Sequence, residues 1–242
     1  MKTPIFFVIL YSGFVLLSCQ SNGVFQQNDR LLFIGDSITF QGGYVERVKN
    51  YLAQEKADLN LSIANAGISS ETVSGLSEPI HNPVRPHLFD RLDSILETHQ
   101  PDCAFFLYGI NDGIYHPFSE ARLQAYKDGI TQFLDEMECQ NIKVILLTPP
   151  PFAVNDQQKE ALKAKQPESY SYKHPYYDYD EAVMQPFRDY ILAVRHPAVA
   201  KIVDIYAVLD QNRAVAYDDD PIHPNAKGHE LMAKAIVEVI FE

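Results

Sequence analysis

The pentapeptide Gly35-Asp36-Ser37-Ile38-Thr39 follows directly on the apolar run Leu31-Leu32-Phe33-Ile34, and near the other end of the chain stands Asp220-Pro221-Ile222-His223. A serine on the turn after a buried strand, and a histidine with an aspartate three residues before it, are the parts of a nucleophilic hydrolase. A serine hydroxyl is a poor nucleophile alone. It needs a base within hydrogen-bond reach and a group that orients the base. Ser37, His223 and Asp220 supply these types, and Asp220 can turn back to its histidine from the same loop. Asp218 and Asp219 are adjacent rivals, with the spacing to His223 favouring Asp220. Two further polar clusters lie between, Asn65-Ala66-Gly67 and Gly109-Ile110-Asn111-Asp112. Singly, each motif is ordinary: Gly, Asp, Asn and Ser make turns and helix caps wherever they occur.

These residues are distant in sequence, so the elements between them must bring them together. Apolar runs at residues 31–35, 61–64, 104–108, 144–147 and 202–205 read as strands. Apolar residues at helical spacing occupy 43–56, 87–98, 118–137, 181–194 and 227–241. Continuously apolar strands separated by helices argue for a parallel sheet covered on both faces. The expectation is one α/β domain, a three-layer α/β/α sandwich with a flavodoxin-like parallel five-stranded sheet. In such sheets the functional loops lie at the carboxyl ends of the strands. Ser37 follows the first expected strand, Gly67 the second and Asn111 the third. Asp220 and His223 lie between the fifth strand and the last helix. All candidate groups thus fall on one edge.

Taken in order, these motifs resemble the SGNH hydrolases, also called GDSL esterases and lipases, whose name-giving residues are Ser, Gly, Asn and His. The resemblance runs from about residue 30 to residue 241. It implies that Ser37 is the nucleophile, that His223 takes and returns its proton, and that Asp220 orients the imidazole. It also implies an oxyanion hole made by the backbone N–H groups of Ser37 and Gly67 and the side-chain amide of Asn111. Asp36 and Asp112 would be supporting residues. The mechanism would need neither metal nor cofactor. A cation held by Asp36, Asp112, Asp220 and His223 is the chemical rival, but no His-x-x-x-His or paired-Cys spacing is present. A binding lipoprotein that keeps the fold without the chemistry is a rival of another class. The intact Ser37, Asp220 and His223 argue against it.

The chain's 242 residues suit one sizeable core. A formal net charge of −12 repels nucleic-acid phosphates and anionic membranes, so neither is an expected partner. At the start, Lys2 precedes an apolar stretch over 5–17, shorter than the roughly 20 residues of a membrane span. It ends in Leu16-Leu17-Ser18-Cys19, which resembles the lipobox of bacterial lipoproteins. That resemblance implies a signal segment over 1–18, lipidation of Cys19, and export across the inner membrane to the periplasm or outer membrane. Membrane contact is expected only through this anchor. Residues 19–29 then read as a tether and 30–242 as the hydrolase domain, expected to be a monomer. Cys103 and Cys139 are expected as two buried free thiols, although an extracytoplasmic location permits a disulfide.

Two stretches look like insertions beside the site. One covers 74–86, with His81, Asn82 and Arg85. The other covers 149–180, rich in Pro and Tyr, including Tyr170, Tyr172, Tyr176, Tyr177 and Tyr179. Tyrosines stack on sugar rings and hydrogen-bond hydroxyls, or simply pack beneath a loop. Neither stretch has the long aliphatic run expected of an acyl-chain groove. A carbohydrate esterase removing small acyl groups, acetyl first, is the favoured expectation. A lysophospholipase-like carboxylesterase is the alternative.

Overall fold

The computed structural model describes residues 23–165 and 167–241. Cys19 and the expected signal segment lie outside the described residues. The strands are β1 (Arg30–Gly35), β2 (Ser62–Asn65), β3 (Cys103–Leu107), β4 (Lys143–Leu147) and β5 (Val199–Val203). They form one five-stranded sheet in the order β2-β1-β3-β4-β5, every pair parallel. This is the flavodoxin-like order expected from the sequence. The central strand β3 is buried at every position, because helices cover both its faces.

The helices are α1 (Ser37–Gln41), α2 (Gly43–Glu55), α3 (Leu92–His99), α4 (Glu120–Cys139), α5 (Asp156–Ala164), α6 (Gln185–Ala193), α7 (Ile205–Asp210), α8 (Arg213–Ala216) and α9 (Ala226–Phe241). Right-handed crossovers put the helix after β1 on the opposite face from those after β3 and β4. Accordingly α2 packs against α9, while α4 packs against α6. Aromatic pairs join neighbours within a layer, with Phe33 of β1 stacked on Phe105 of β3 at 4.1 Å and Tyr126 of α4 on Phe187 of α6 at 4.3 Å between ring centroids. Such pairs add about 0.5–1.5 kcal/mol each beyond the area they bury.

Several boundaries differ from the sequence reading, each for a local reason. The helix expected over 87–98 begins only at Leu92. Before it, Thr72 N–H donates to Pro86 O and Leu88 N–H to Thr72 O, so this backbone is already paired with Thr72 at the other end of the 74–86 insertion. The fifth strand, expected at 202–205, is Val199–Val203, because Asp204 accepts from Ala207 N–H at 3.2 Å and starts α7 one residue later. Helix α5 lies inside the stretch read as an irregular insertion. Its capping box joins Asn155 and Gln158.

The described part of the expected tether, residues 23–29, is docked on the body. Phe25 is buried and packs against Phe105 and Phe241, and Lys143 Nζ donates to Val24 O at 2.7 Å. Both cysteines are free, Cys103 buried in β3 as expected, but Cys139 is exposed rather than buried because it sits at the solvent-facing end of α4 and not in a strand. No helix among the described residues is long and apolar enough to cross a membrane.

Candidate active site

The first motif works because each residue does a different local job. Gly35 ends β1 where a Cβ would lie 2.1 Å from Thr39 Oγ1 and 2.7 Å from Leu107 O, so only glycine lets the chain turn that tightly. Asp36 is the N-cap of α1 and accepts from Ile38 N–H at 2.9 Å. Ser37 is then the first helical residue, held at the carboxyl end of the sheet on a backbone with little freedom. Burial raises the Asp36 carboxyl to about 7, with the Ile38 amide pulling the other way.

His223 reaches Ser37 from the opposite end of the chain. Its Nε2 lies 2.9 Å from Ser37 Oγ, and its Nδ1 lies 2.7 Å from Asp220 Oδ2. An ionised carboxylate only accepts, so Nδ1 carries the proton and the neutral ring's Nε2 accepts from the serine hydroxyl. The other Asp220 oxygen accepts from the N–H groups of Ile222 at 2.8 Å and His223 at 3.4 Å, folding the loop into the turn that presents the imidazole. The neighbouring acids are elsewhere. Asp218 accepts from Asn225 Nδ2 at 2.9 Å, and Asp219 offers its backbone carbonyl to Gln158 Nε2 at 2.9 Å. The hydrogen bond that Nδ1–H donates to Asp220 raises the His223 pKa above its ordinary value against the effect of burial, and the charges of Asp220 and Asp36 add to this.

The remaining expected residues flank Ser37 on the adjoining loops. Parallel pairing sets Gly35 beside Leu107, so the loops after β1 and β3 emerge together. Asn111 is buried on the second of these. Its Oδ1 accepts from Arg85 Nη1 at 3.0 Å and Tyr115 OH at 3.0 Å, and its Nδ2 donates to Glu71 O at 3.2 Å. One Nδ2 hydrogen is left over. Asp112 accepts from the N–H groups of Val73 at 2.9 Å and Ser74 at 2.8 Å, tying the loop after β2 to that after β3. Burial raises its pKa to about 6.

Gly67 has a different immediate environment from the one expected. Its N–H donates to Asn65 Oδ1 at 2.9 Å, and Asn65 Nδ2 donates to Thr39 O at 2.7 Å. A Cβ on Gly67 would sit 2.3 Å from Phe40 N and 2.6 Å from Thr39 C, so glycine is required by close approach to α1. Gly67→Ala is therefore expected to lower stability by about 1–3 kcal/mol, the cost of forcing atoms into a packed site. An unchanged midpoint in urea denaturation would show instead that the loop yields freely. Three residues on, Ser70 holds the left-handed conformation at φ 66°, and its N–H has no acceptor among the described residues.

The carboxylates do not converge. Asp36, Asp112 and Asp220 each place an oxygen on backbone amides. The cluster of metal-ligand type among the described residues is instead exposed, Asp135 and Glu138 of α4 with His196.

The insertions close around this edge. Ala153 N–H donates to Pro221 O at 2.8 Å, so the second insertion rests on the histidine loop. A cavity of about 380 Å³ lies there, lined by Phe152, Val154, Leu162, Tyr172, Pro175 and Pro221 among others. Of the insertion's tyrosines, Tyr179 is buried and donates to Ile110 O at 3.0 Å, while Tyr170, Tyr176 and Tyr177 are half-buried, with Tyr170 in contact with His116 and Tyr176. Tyr172 is exposed and meets His81 of the first insertion at 5.7 Å. Sequence reasoning missed Arg85, Glu78 and Ser70 as neighbours of Asn111. A buried arginine in an insertion has no local pattern to reveal it.

The family model described as GDSL-like Lipase/Acylhydrolase matches residues 33–231. Among solved structures, Axe2, an acetylxylan esterase from Geobacillus stearothermophilus, is similar at 23% identity with a TM-score of 0.59, covering 88% of this chain and 94% of that one. LAE5, an alpha/beta hydrolase enzyme from the metagenome of Lake Arreo, Spain, is similar at 22% identity with a TM-score of 0.63, covering 88% of this chain and 95% of that one. These likenesses are of fold. No curated protein matches the chain.

Proposed function

The chain belongs to the GDSL-like lipase/acylhydrolase family and is a carboxylic ester hydrolase; from that premise we propose that it removes small acyl groups, acetyl first, from a carbohydrate by a Ser37-His223-Asp220 relay. The observation that carries the reading is the hydrogen-bonded line from Ser37 Oγ through both imidazole nitrogens to Asp220, at 2.9 and 2.7 Å. In the proposed reaction Ser37 Oγ attacks the ester carbonyl while His223 Nε2 takes the hydroxyl proton. The C–O bond to the alcohol then breaks, and His223 returns the proton to the leaving oxygen. Water repeats the sequence on the acyl-serine and releases the carboxylic acid.

Negative charge develops on the carbonyl oxygen in each half. We assign its stabilisation to the Ser37 N–H, the spare Nδ2 hydrogen of Asn111 and an amide of the loop after β2. Gly67 N–H serves there only by releasing Asn65 Oδ1. The unpaired Ser70 N–H favours it as the donor from that loop. Asp36 and Asp112 act as supports for their loops.

The fold likeness to an acetylxylan esterase, and a site edge built from buried tyrosines and polar loops, support a small acyl group on a sugar. The apolar cavity beside Pro221 favours a second reading, a carboxylesterase for longer chains. Export and anchoring through a lipidated Cys19, and a monomeric state, belong to the same proposal and rest on the sequence. Hydrolysis of p-nitrophenyl esters decides on the acyl group. Acetate turned over at least about tenfold faster than octanoate supports the deacetylase, since each methylene that finds a matching pocket contributes about 0.8 kcal/mol. The reverse order would establish the long-chain reading, and release of acetate from acetylated xylo-oligosaccharides then tests the sugar.

A further inference from the structure

Arg85 lies in the first insertion and is the most heavily engaged buried charge near the site. Its Nε and Nη2 donate to Glu78 at 2.5 and 2.7 Å, and both side chains are almost wholly buried. Its Nη1 is shared between Ser70 O at 3.2 Å and Asn111 Oδ1 at 3.0 Å. The guanidinium stands 5.5 Å from the centre of the Tyr115 ring, whose hydroxyl is the second donor on Asn111 Oδ1. Glu78 in turn accepts from Tyr172 N–H at 3.3 Å, which brings in the second insertion.

This arrangement bears on the one freedom that matters for Asn111. A carboxamide can rotate by half a turn, exchanging oxygen for nitrogen with almost no change in shape. One orientation offers a donor to a developing oxyanion and the other offers an acceptor, which repels it. Arginine has no acceptor, so it tolerates only Oδ1 facing it, and Tyr115 reinforces the choice. The same guanidinium holds the carbonyl of Ser70 and so restrains the loop whose amide is unpaired. An isolated Asn111 would have only its Nδ2 bond to Glu71 O to resist inversion.

We propose that Arg85, together with Tyr115, is a positioning residue that fixes the Asn111 carboxamide with its N–H toward the oxyanion, so that the 74–86 insertion is part of the catalytic apparatus rather than an outlying loop. This rests on the reading of Asn111 as an oxyanion donor.

A double-mutant cycle tests it. Arg85→Lys keeps the buried charge that Glu78 requires but cannot span Glu78, Ser70 O and Asn111 Oδ1 together. Tyr115→Phe removes the other donor without touching the ion pair. Each is measured alone and combined with Asn111→Ala, reading kcat and KM on p-nitrophenyl acetate and the thermal midpoint. Asn111→Ala alone is expected to lower kcat by about 100-fold or more, as for loss of an oxyanion donor. Arg85→Lys is expected to lower kcat by about tenfold or more with KM within about twofold, and to cost less than about threefold in the Asn111→Ala background. A fold defect would lower activity by the same factor in both backgrounds, and that result overturns the proposal. So would an Arg85→Lys enzyme with full kcat. Should Arg85→Lys not fold, the Tyr115→Phe cycle decides by the same criterion. An Asn111→Ala enzyme with unchanged kcat would instead overturn the oxyanion reading, which separates the two failures.

Discussion

Ser37→Ala is expected to abolish ester turnover, lowering kcat by at least about 10⁴-fold, while leaving the fold intact. The hydroxyl is half-buried at the start of α1 and its side-chain partner is His223 Nε2 at 2.9 Å. Removing it deletes one exposed-side hydrogen bond, worth about 0.5–1.5 kcal/mol, and disturbs no cap, because Asp36 rather than Ser37 caps the helix. The chemistry has no such redundancy. Alanine offers no atom to form the acyl-enzyme, and the donors around it retain only the residual catalysis of a bound, stabilised ester. Rapid-mixing kinetics give the clean readout: a burst of p-nitrophenol in the native enzyme and none in the variant, with unchanged circular dichroism. A variant that keeps within tenfold of native turnover would remove Ser37 from the mechanism.

Asp220→Asn produces the second large effect and an informative change in pH dependence. In the native loop, one oxygen of Asp220 accepts from the Ile222 and His223 amides while the other accepts from His223 Nδ1. Asparagine keeps its oxygen on the two amides and turns its NH₂ to Nδ1. The ring must then carry its proton on Nε2, which can no longer accept from Ser37. Loss of the correct tautomer costs about 10⁴-fold in kcat in a triad of this kind.

The sign of the pH effect follows from the His223 pKa. The hydrogen bond that the imidazole donates to Asp220 raises it above the ordinary histidine value, with burial opposing and the charges of Asp220 and Asp36 assisting. The reaction needs neutral imidazole. Native kcat/KM therefore falls as pH drops through that raised value. Removing the Asp220 charge lowers the pKa, so the acid limb of the residual activity moves to lower pH. Full pH profiles of both proteins on one ester check this. An unshifted limb with less than a tenfold loss would transfer the orienting role away from Asp220, and Asp218→Asn and Asp219→Asn would then identify the rival.

Much of the framework is legible in the chain because its signals are short-ranged. Leu31 to Ile34 can only be a buried strand, and Gly35 and Asp36 make a turn and a cap within a few residues. Asp220 and His223 share one loop, so their hydrogen bond follows from spacing. The elements misplaced or missed answer to distant partners. The start of α3 is delayed by pairing between Thr72 and residues 86–88. Helix α5 is anchored from outside by Gln158 on Asp219 O.

What the amino-acid sequence determines by itself is therefore the parallel α/β frame and the edge on which the polar groups gather, and it nominates Ser37, Asp220 and His223 as the candidate catalytic set. Each follows from local periodicity, turn chemistry or spacing of a few residues. Only the tertiary structure decides which groups are free to act. It pairs Gly67 N–H with Asn65, gives Ser70 N–H no acceptor among the described residues, and sets Arg85 on an asparagine 26 residues away in sequence. It also buries Tyr179 of the second insertion and leaves Tyr172 exposed. The physical reason is that loop conformations differ by little in local energy, so long-range hydrogen bonds and close approaches choose among them, and these exist only once the sheet has assembled.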